Sequence, residues 1–124
     1  MEKDRNTTVG ALRQAVASFV DARDWRPFHS PKNLSMSIAI EASELMEHFQ
    51  WLNAEEAQDA CTDPEVWAAV GDELADIVIY CLSLINALDL DLSSALLGKL
   101  QTNEDRFPPN EFKGRFRRPE RDKS

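Results

Sequence analysis

Imidazole and thiol are scarce in this 124-residue chain, which has two histidines and two cysteines. Cys61 and Cys81 show no metal-type spacing, and little imidazole stands ready to complete a zinc site. Cys81 falls in an apolar helical pattern and reads as a buried free thiol, which fits a reducing compartment. No apolar run is long enough to span a bilayer. The opening residues, MEKDRNTTVG, are polar and charged and show no signal-peptide pattern. The expectation is a cytoplasmic protein without a membrane partner. Alternating β patterns, internal repeats and low-complexity tracts are also missing. Positive charge is in deficit, with 14 Lys/Arg against 22 Asp/Glu and a net charge of −8. A nucleic acid polymer would be repelled overall. A small anionic substrate stays open, provided a cation mediates.

What is present is ordinary for a globular domain: 43% hydrophobic and 29% charged residues. Four helical segments are predicted. The first runs from about Thr8 to Asp24, with Val9, Leu12, Val16, Phe19 and Val20 apolar. After the proline-broken turn RDWRPFHSPKN, the second runs from about Pro31 to Leu52. The stretch LNAEEAQDACTD is polar and loop-like, with room for some helix. Asp63 as cap and Pro64 at the first position start the third helix, which runs to about Leu88 and is apolar on most of its circumference. Asp91 or Ser93 caps the fourth, which ends near Phe107, before Pro108-Pro109. The fold class is all-α, a four-helix bundle or part of one. Residues 1–108 are read as the domain. Residues 109–124 are read as a flexible tail. The charge is uneven: from Pro108 to the end it is +3, leaving −11 on the rest.

The stretch IAIEASELMEHFQW, Ile38–Trp51, carries an oddity. On a wheel of about 100° per residue, Leu34, Ile38, Leu45 and Phe49 lie within about 80° of Glu41. A carboxylate thus sits at the edge of an apolar arc, with Glu44 on the same flank. The third helix repeats this layout: Glu73 stands among Val66, Val70, Ile77 and Leu84, with Asp76 flanking it. If the two stripes face each other, Glu41-x-x-Glu44 and Glu73-x-x-Asp76 converge. Converging carboxylates repel and pay for desolvation, so they either protonate or hold a cation. Oxygen ligands on rigid helices suit Mg²⁺ or Mn²⁺. The plain alternative is acids solvated on amphipathic helices, which would make the chain a non-catalytic helical oligomerisation module. A di-iron bundle is disfavoured because its E-x-x-H motif is absent: His48 follows Glu44 by four residues rather than three.

FVDARDWRPFHSPKNL, IEASELMEHFQW, GDELADIVIYCLSL and KLQTNEDRFP, in that order, resemble the all-α NTP pyrophosphohydrolases of the MazG-like superfamily, in particular the dCTP pyrophosphatase branch. The resemblance covers about Leu12 to Pro108. The superfamily pattern is E-E-x-x-E, a spacer, then E-x-x-D, and 28 residues here separate Glu44 from Glu73. Ile40 stands in place of the first Glu of the doublet, a departure that the dCTP branch shares. Val16 stands where dCTP-type enzymes carry a histidine near the base, which leaves base selectivity open.

The resemblance implies hydrolysis of deoxynucleoside triphosphates, dCTP and modified dCTP first, to the monophosphate and pyrophosphate. That would be a nucleotide-pool sanitising activity. Glu41, Glu44, Glu73 and Asp76 would ligate Mg²⁺, with Mn²⁺ a substitute, and form the catalytic set. Glu44 and Glu47 are both open as the base that activates water. Lys99, Asn103 and Arg106, at i, i+4 and i+7, would bind the triphosphate. Phe19, Trp25, His29 and Trp51 would hold the base, and Tyr80 would border the sugar and hinder a 2′-hydroxyl. His48 is left out of the set. The implied assembly is a homotetramer, a dimer of dimers with sites built across subunits. The same chemistry on dUTP or on a broad set of dNTPs remains an alternative.

Overall fold

The protein is described by a computed structural model covering residues 2–115. Among these residues the regular elements are helices and 3₁₀ turns, with no strand. Six α-helices follow in order: α1 (Val9–Ala22), α2 (Pro31–Glu47), α3 (Ala54–Ala60), α4 (Pro64–Leu88), α5 (Leu92–Arg106) and α6 (Pro109–Phe112). They fall into two units, Met1–Leu90 and Asp91–Ser124.

Local signals set the starts. Thr8, Ser30 and Asp91 each accept a hydrogen bond from the backbone N–H three residues on, at 3.0–3.1 Å. Asp63 accepts from Glu65 N at 2.8 Å, and Pro64 follows at the first helical position. The polar stretch after α2 forms a short helix because Asn53 and Glu56 cap it reciprocally, at 2.8 and 3.0 Å. That box also ends α2 early. The helix stops at Glu47, five residues before the predicted Leu52, and the chain turns through His48–Trp51 to reach Asn53.

In the first unit α4 packs against both α2 and α1, more extensively against α2. The Arg13 Nε–H donates to Asn86 Oδ1 at 3.0 Å, and Asn86 Nδ2 donates back to the Arg13 carbonyl at 3.1 Å, tying α1 to the end of α4. The enclosed residues are few: Val20 from α1, Leu34 from α2, and Leu82 and Ser83 from α4. Leu34 is the most enclosed, at 1% exposure. By contrast, Met36 and Ile40 on α2 and Trp67, Leu74 and Val78 on α4 are exposed. The all-round apolar character of α4 is therefore only partly covered within one chain. Cys61 and Cys81 are both free thiols, and Cys81 is half-buried rather than buried, because the thin bundle encloses so little.

The second unit holds α5 and α6. The first residues of the expected tail form the helical turn α6, and Phe112 meets the Phe107 ring edge-on at 5.0 Å. The tail beyond residue 115 lies outside the described residues.

Leu34 carries much of a small core, so Leu34→Ala should lower stability by about 2–5 kcal/mol. Urea denaturation at fixed protein concentration reads this directly. An unchanged midpoint would contradict the placing of the core.

Candidate active site

The α2–α4 contact decides which acids meet. Glu41 and Glu44 are three residues apart on α2, and Glu73 and Asp76 three apart on α4, so each pair shares a helix flank. With α2 laid on α4, one carboxylate oxygen each of Glu41, Glu73 and Asp76 lies within 4.8 Å of the others. Glu41 and Glu73 are half-buried and Asp76 is exposed, so the cluster opens to solvent on the Asp76 side. Oε2 of Glu41 and Oε2 of Glu73 are shut off from solvent and have no hydrogen-bond partner among the described residues. Glu44 is half-buried and stands outside the triad, but its charge acts on Glu41.

The electrostatic consequence falls on Glu41. Its carboxyl is pushed up to about 7, first by burial, then by the charge and close contact of Glu44, the charge of Asp76 and contact with Glu73. Two orphaned buried oxygens and a carboxyl forced to keep its proton describe a site short of positive charge. The donors are all hard oxygens, at a spacing a single ion could bridge. They fit a divalent cation of the Mg²⁺ or Mn²⁺ kind.

A cleft of about 540 Å³ runs from this cluster to a group of rings. Glu41 and Asp76 line one part, with Tyr80 nearby on α4. Phe19, Trp25, Phe28 and His29 line the rest, together with Asn33, Ser37 and Ser83. The rings come together through the end of α1. Asp24 takes a left-handed conformation, φ 51°, so the N–H of Trp25 turns back to the Val20 carbonyl at 3.2 Å. Trp25 then meets Phe19 edge-on at 5.6 Å, with the Arg23 guanidinium 3.8 Å from the Phe19 centroid. Asn33 Nδ2 donates to the Phe28 carbonyl at 3.0 Å, pinning the 3₁₀ turn Arg26–Phe28 to α2.

Residues 36–116 match the model of the MazG-like family. The chain belongs to that family. It is 38% identical over 107 residues to dCTP pyrophosphatase 1 of Bos taurus, across 86% of this chain and 63% of that protein. It is 37% identical over 101 residues to dCTP pyrophosphatase 1 of Homo sapiens, across 82% of this chain and 59% of that one. The chain thus spans 59–63% of the length of these curated relatives. Among solved structures it is similar to a pyrophosphatase from Archaeoglobus fulgidus, with a TM-score of 0.73 and 35% identity over 78% of this chain and 89% of the other.

Of the residues singled out from sequence, Glu41, Asp76, Phe19, Trp25, His29 and Tyr80 line one cleft of this MazG-like chain, and Glu73 joins the acidic triad. Trp51 does not line it: it stands in the turn after α2, 87% exposed. Lys99, Asn103 and Arg106 lie along α5 in the second unit, where Arg106 covers the Phe107 ring at 5.2 Å. Phe28, Asn33, Ser37, Ile79 and Ser83 line the cleft without having been singled out. A signal existed for several of them. Asn33 and Ser37 precede Glu41 by eight and four residues, and Ser83 follows Asp76 by seven, so each shares a helix face with an acid.

The proton on Glu41 favours the folded, cation-free state. Its contribution is full below pH 4.5, the ordinary value, and is lost as pH rises through about 7. In chelator, thermal stability should therefore fall between pH 5 and 8, and Glu41→Gln should flatten that slope. Melting curves across this range check it. An equal slope in wild type and variant would show that Glu41 is not the group responsible.

Proposed function

We propose that this chain hydrolyses deoxynucleoside triphosphates, dCTP and its modified forms foremost, to the monophosphate and pyrophosphate. The observation that carries the reading is that two members of an acidic triad, Glu41 and Asp76, line one cleft together with a set of aromatic rings. Phosphates need a bridging cation to approach carboxylates, and a nucleobase needs flat apolar faces. The cleft offers both. The matched relatives are dCTP pyrophosphatases by name, and the similar solved structure is a pyrophosphatase.

In this reading Glu41, Glu73 and Asp76, with Glu44 beside them, hold Mg²⁺, for which Mn²⁺ can substitute. The bound ion would neutralise phosphate charge and lower the cost of forming hydroxide from water. Glu44, next to the triad but outside it, would take the proton of the attacking water. Glu47, the other acid considered, is exposed. Water adds across the α–β phosphoanhydride bond, and the products are the monophosphate and pyrophosphate. Phe19, Trp25, Phe28 and His29 hold the base, and Tyr80 borders the sugar, disfavouring a 2′-hydroxyl. Lys99, Asn103 and Arg106 are assigned to the triphosphate on the motif K-L-x-x-N-x-x-R.

The assembly proposed is a homotetramer. Its support is the uncovered apolar surface of α2 and α4, with Ile40 57% and Trp67 70% exposed. Trp51, exposed and away from its own chain's cleft, would serve the site of a neighbouring copy. A broader dNTP preference is the second reading. It is favoured by Val16, which supplies no hydrogen-bonding group, and by the sequence-tolerant nature of ring stacking.

Pyrophosphate release with Mg²⁺, measured across dCTP, dUTP, the other dNTPs and the NTPs, separates these readings. Wild type should favour dCTP over ribonucleotides. Glu41→Gln, still folded, should lose at least about 10²-fold in rate, the scale of several kcal/mol of charge stabilisation. No release from any nucleotide by the wild type would overturn the proposal in favour of a non-catalytic oligomerisation module.

A further inference from the structure

Ser83 stands apart from the rest of the cleft. Among the described residues it is the only polar one of the few enclosed, at 5% exposure, and its Oγ has no hydrogen-bond partner there. A buried hydroxyl without a partner is unfavourable, and a helical serine ordinarily relieves this by bonding back to a carbonyl one turn earlier. Here it does not. An alanine would pack in the same place without the penalty.

The position of Ser83 suggests what the hydroxyl waits for. It lines the main cleft and also a smaller cavity of about 240 Å³, in which Ala17, Asn86 and Ala87 take part. Val20, His29 and Ser83 are shared by the two spaces, so Ser83 stands where they meet. On α4 it follows Asp76 by seven residues, two helical turns or about 10 Å along the axis. That separation is comparable with the reach of a nucleoside from its 5′-phosphate to the far edge of its base. Three of the other polar residues of the smaller cavity, Asn86, Arg26 and Asp21, are engaged, while the fourth, His29, lines both spaces as Ser83 does. Asn86 exchanges both amide bonds with Arg13, and Arg26 is paired with Asp21 through two hydrogen bonds. The Phe19 and Phe28 rings can stack on a base but carry no group that reads its edge.

We propose that Ser83 is a specificity-determining residue, its hydroxyl meeting the polar edge of the bound nucleobase at the junction of the two cavities. The inference rests on the nucleotide-hydrolysis reading above and adds to it the group that selects the base. A single χ1 rotation between staggered wells re-aims the hydroxyl, which can donate or accept. The resting protein carries the unfavourable unpartnered state, and the correct base relieves it. A base whose shape keeps its polar edge out of reach of the hydroxyl leaves it unrelieved, so the selection is by differential binding.

The test compares wild type, Ser83→Ala and Ser83→Thr in kcat and KM for dCTP, dUTP, dTTP and dATP, with melting temperatures in the absence of nucleotide. Ser83→Ala should raise KM for the preferred nucleotide about tenfold, the scale of one lost hydrogen bond, with kcat within about twofold. KM for the poorest nucleotide should hardly move, and the melting temperature should stay equal or rise. Ser83→Thr, which keeps the hydroxyl, should restore discrimination. Unchanged ratios in Ser83→Ala, with wild-type turnover intact, would overturn the role of Ser83 and leave the hydrolysis reading standing. A lowered melting temperature, lost folding or an equal rise of every KM would show a structural role and overturn it likewise. A wild type that hydrolyses no nucleotide would remove both together.

Discussion

The packing of α2 on α4 is the constraint on which the site depends. It brings Glu41, Glu73 and Asp76 within 4.8 Å of one another, an arrangement that like charges oppose. Leu34 on α2 and Leu82 on α4 are both almost fully enclosed. Apolar burial thus supports a local electrostatic conflict that a cation could resolve. The strain shows as a carboxyl on Glu41 that keeps its proton up to about pH 7.

The cleft inherits its polarity from the same packing. Acids lie on the facing flanks of α2 and α4, while the rings come from the end of α1 and the 3₁₀ turn before α2. The left-handed Asp24 and the Asn33–Phe28 bond are small features, but they fix where the aromatic group begins. In the proposed reading, phosphate-binding and base-binding chemistry therefore rest on different elements. A change of base preference can arise without disturbing the triad, which accords with the absence of a histidine at position 16 and with the placing of Ser83 two turns from Asp76.

Most of the helices, and the acids that converge between α2 and α4, were legible in the sequence. Capping is local, so Asp63-Pro64 announced α4, and the 3.6-residue period exposed carboxylates sitting at apolar positions. Three things were less legible, each for its own reason. The apolar period runs on through Phe49 and Leu52, but the Asn53–Glu56 capping box turns the chain first, so α2 ends at Glu47. Asn33, Ser37 and Ser83 share faces with the acids, but small polar side chains give no chemical signal until the helices are docked. Trp51 reads as a ring for the base, yet its own chain leaves it 87% exposed. In the proposed assembly a neighbouring copy would cover it, which its neighbours in sequence do not announce.

The central claim is that the α2–α4 carboxylates form a cation site rather than a solvated face. Titration of Mn²⁺ into wild type and Glu73→Gln at pH 8, followed by calorimetry, tests it most directly. A stoichiometric site in the wild type, lost or much weakened in a variant that still folds, is the predicted result. Weak, non-stoichiometric binding that is the same in both proteins would contradict it.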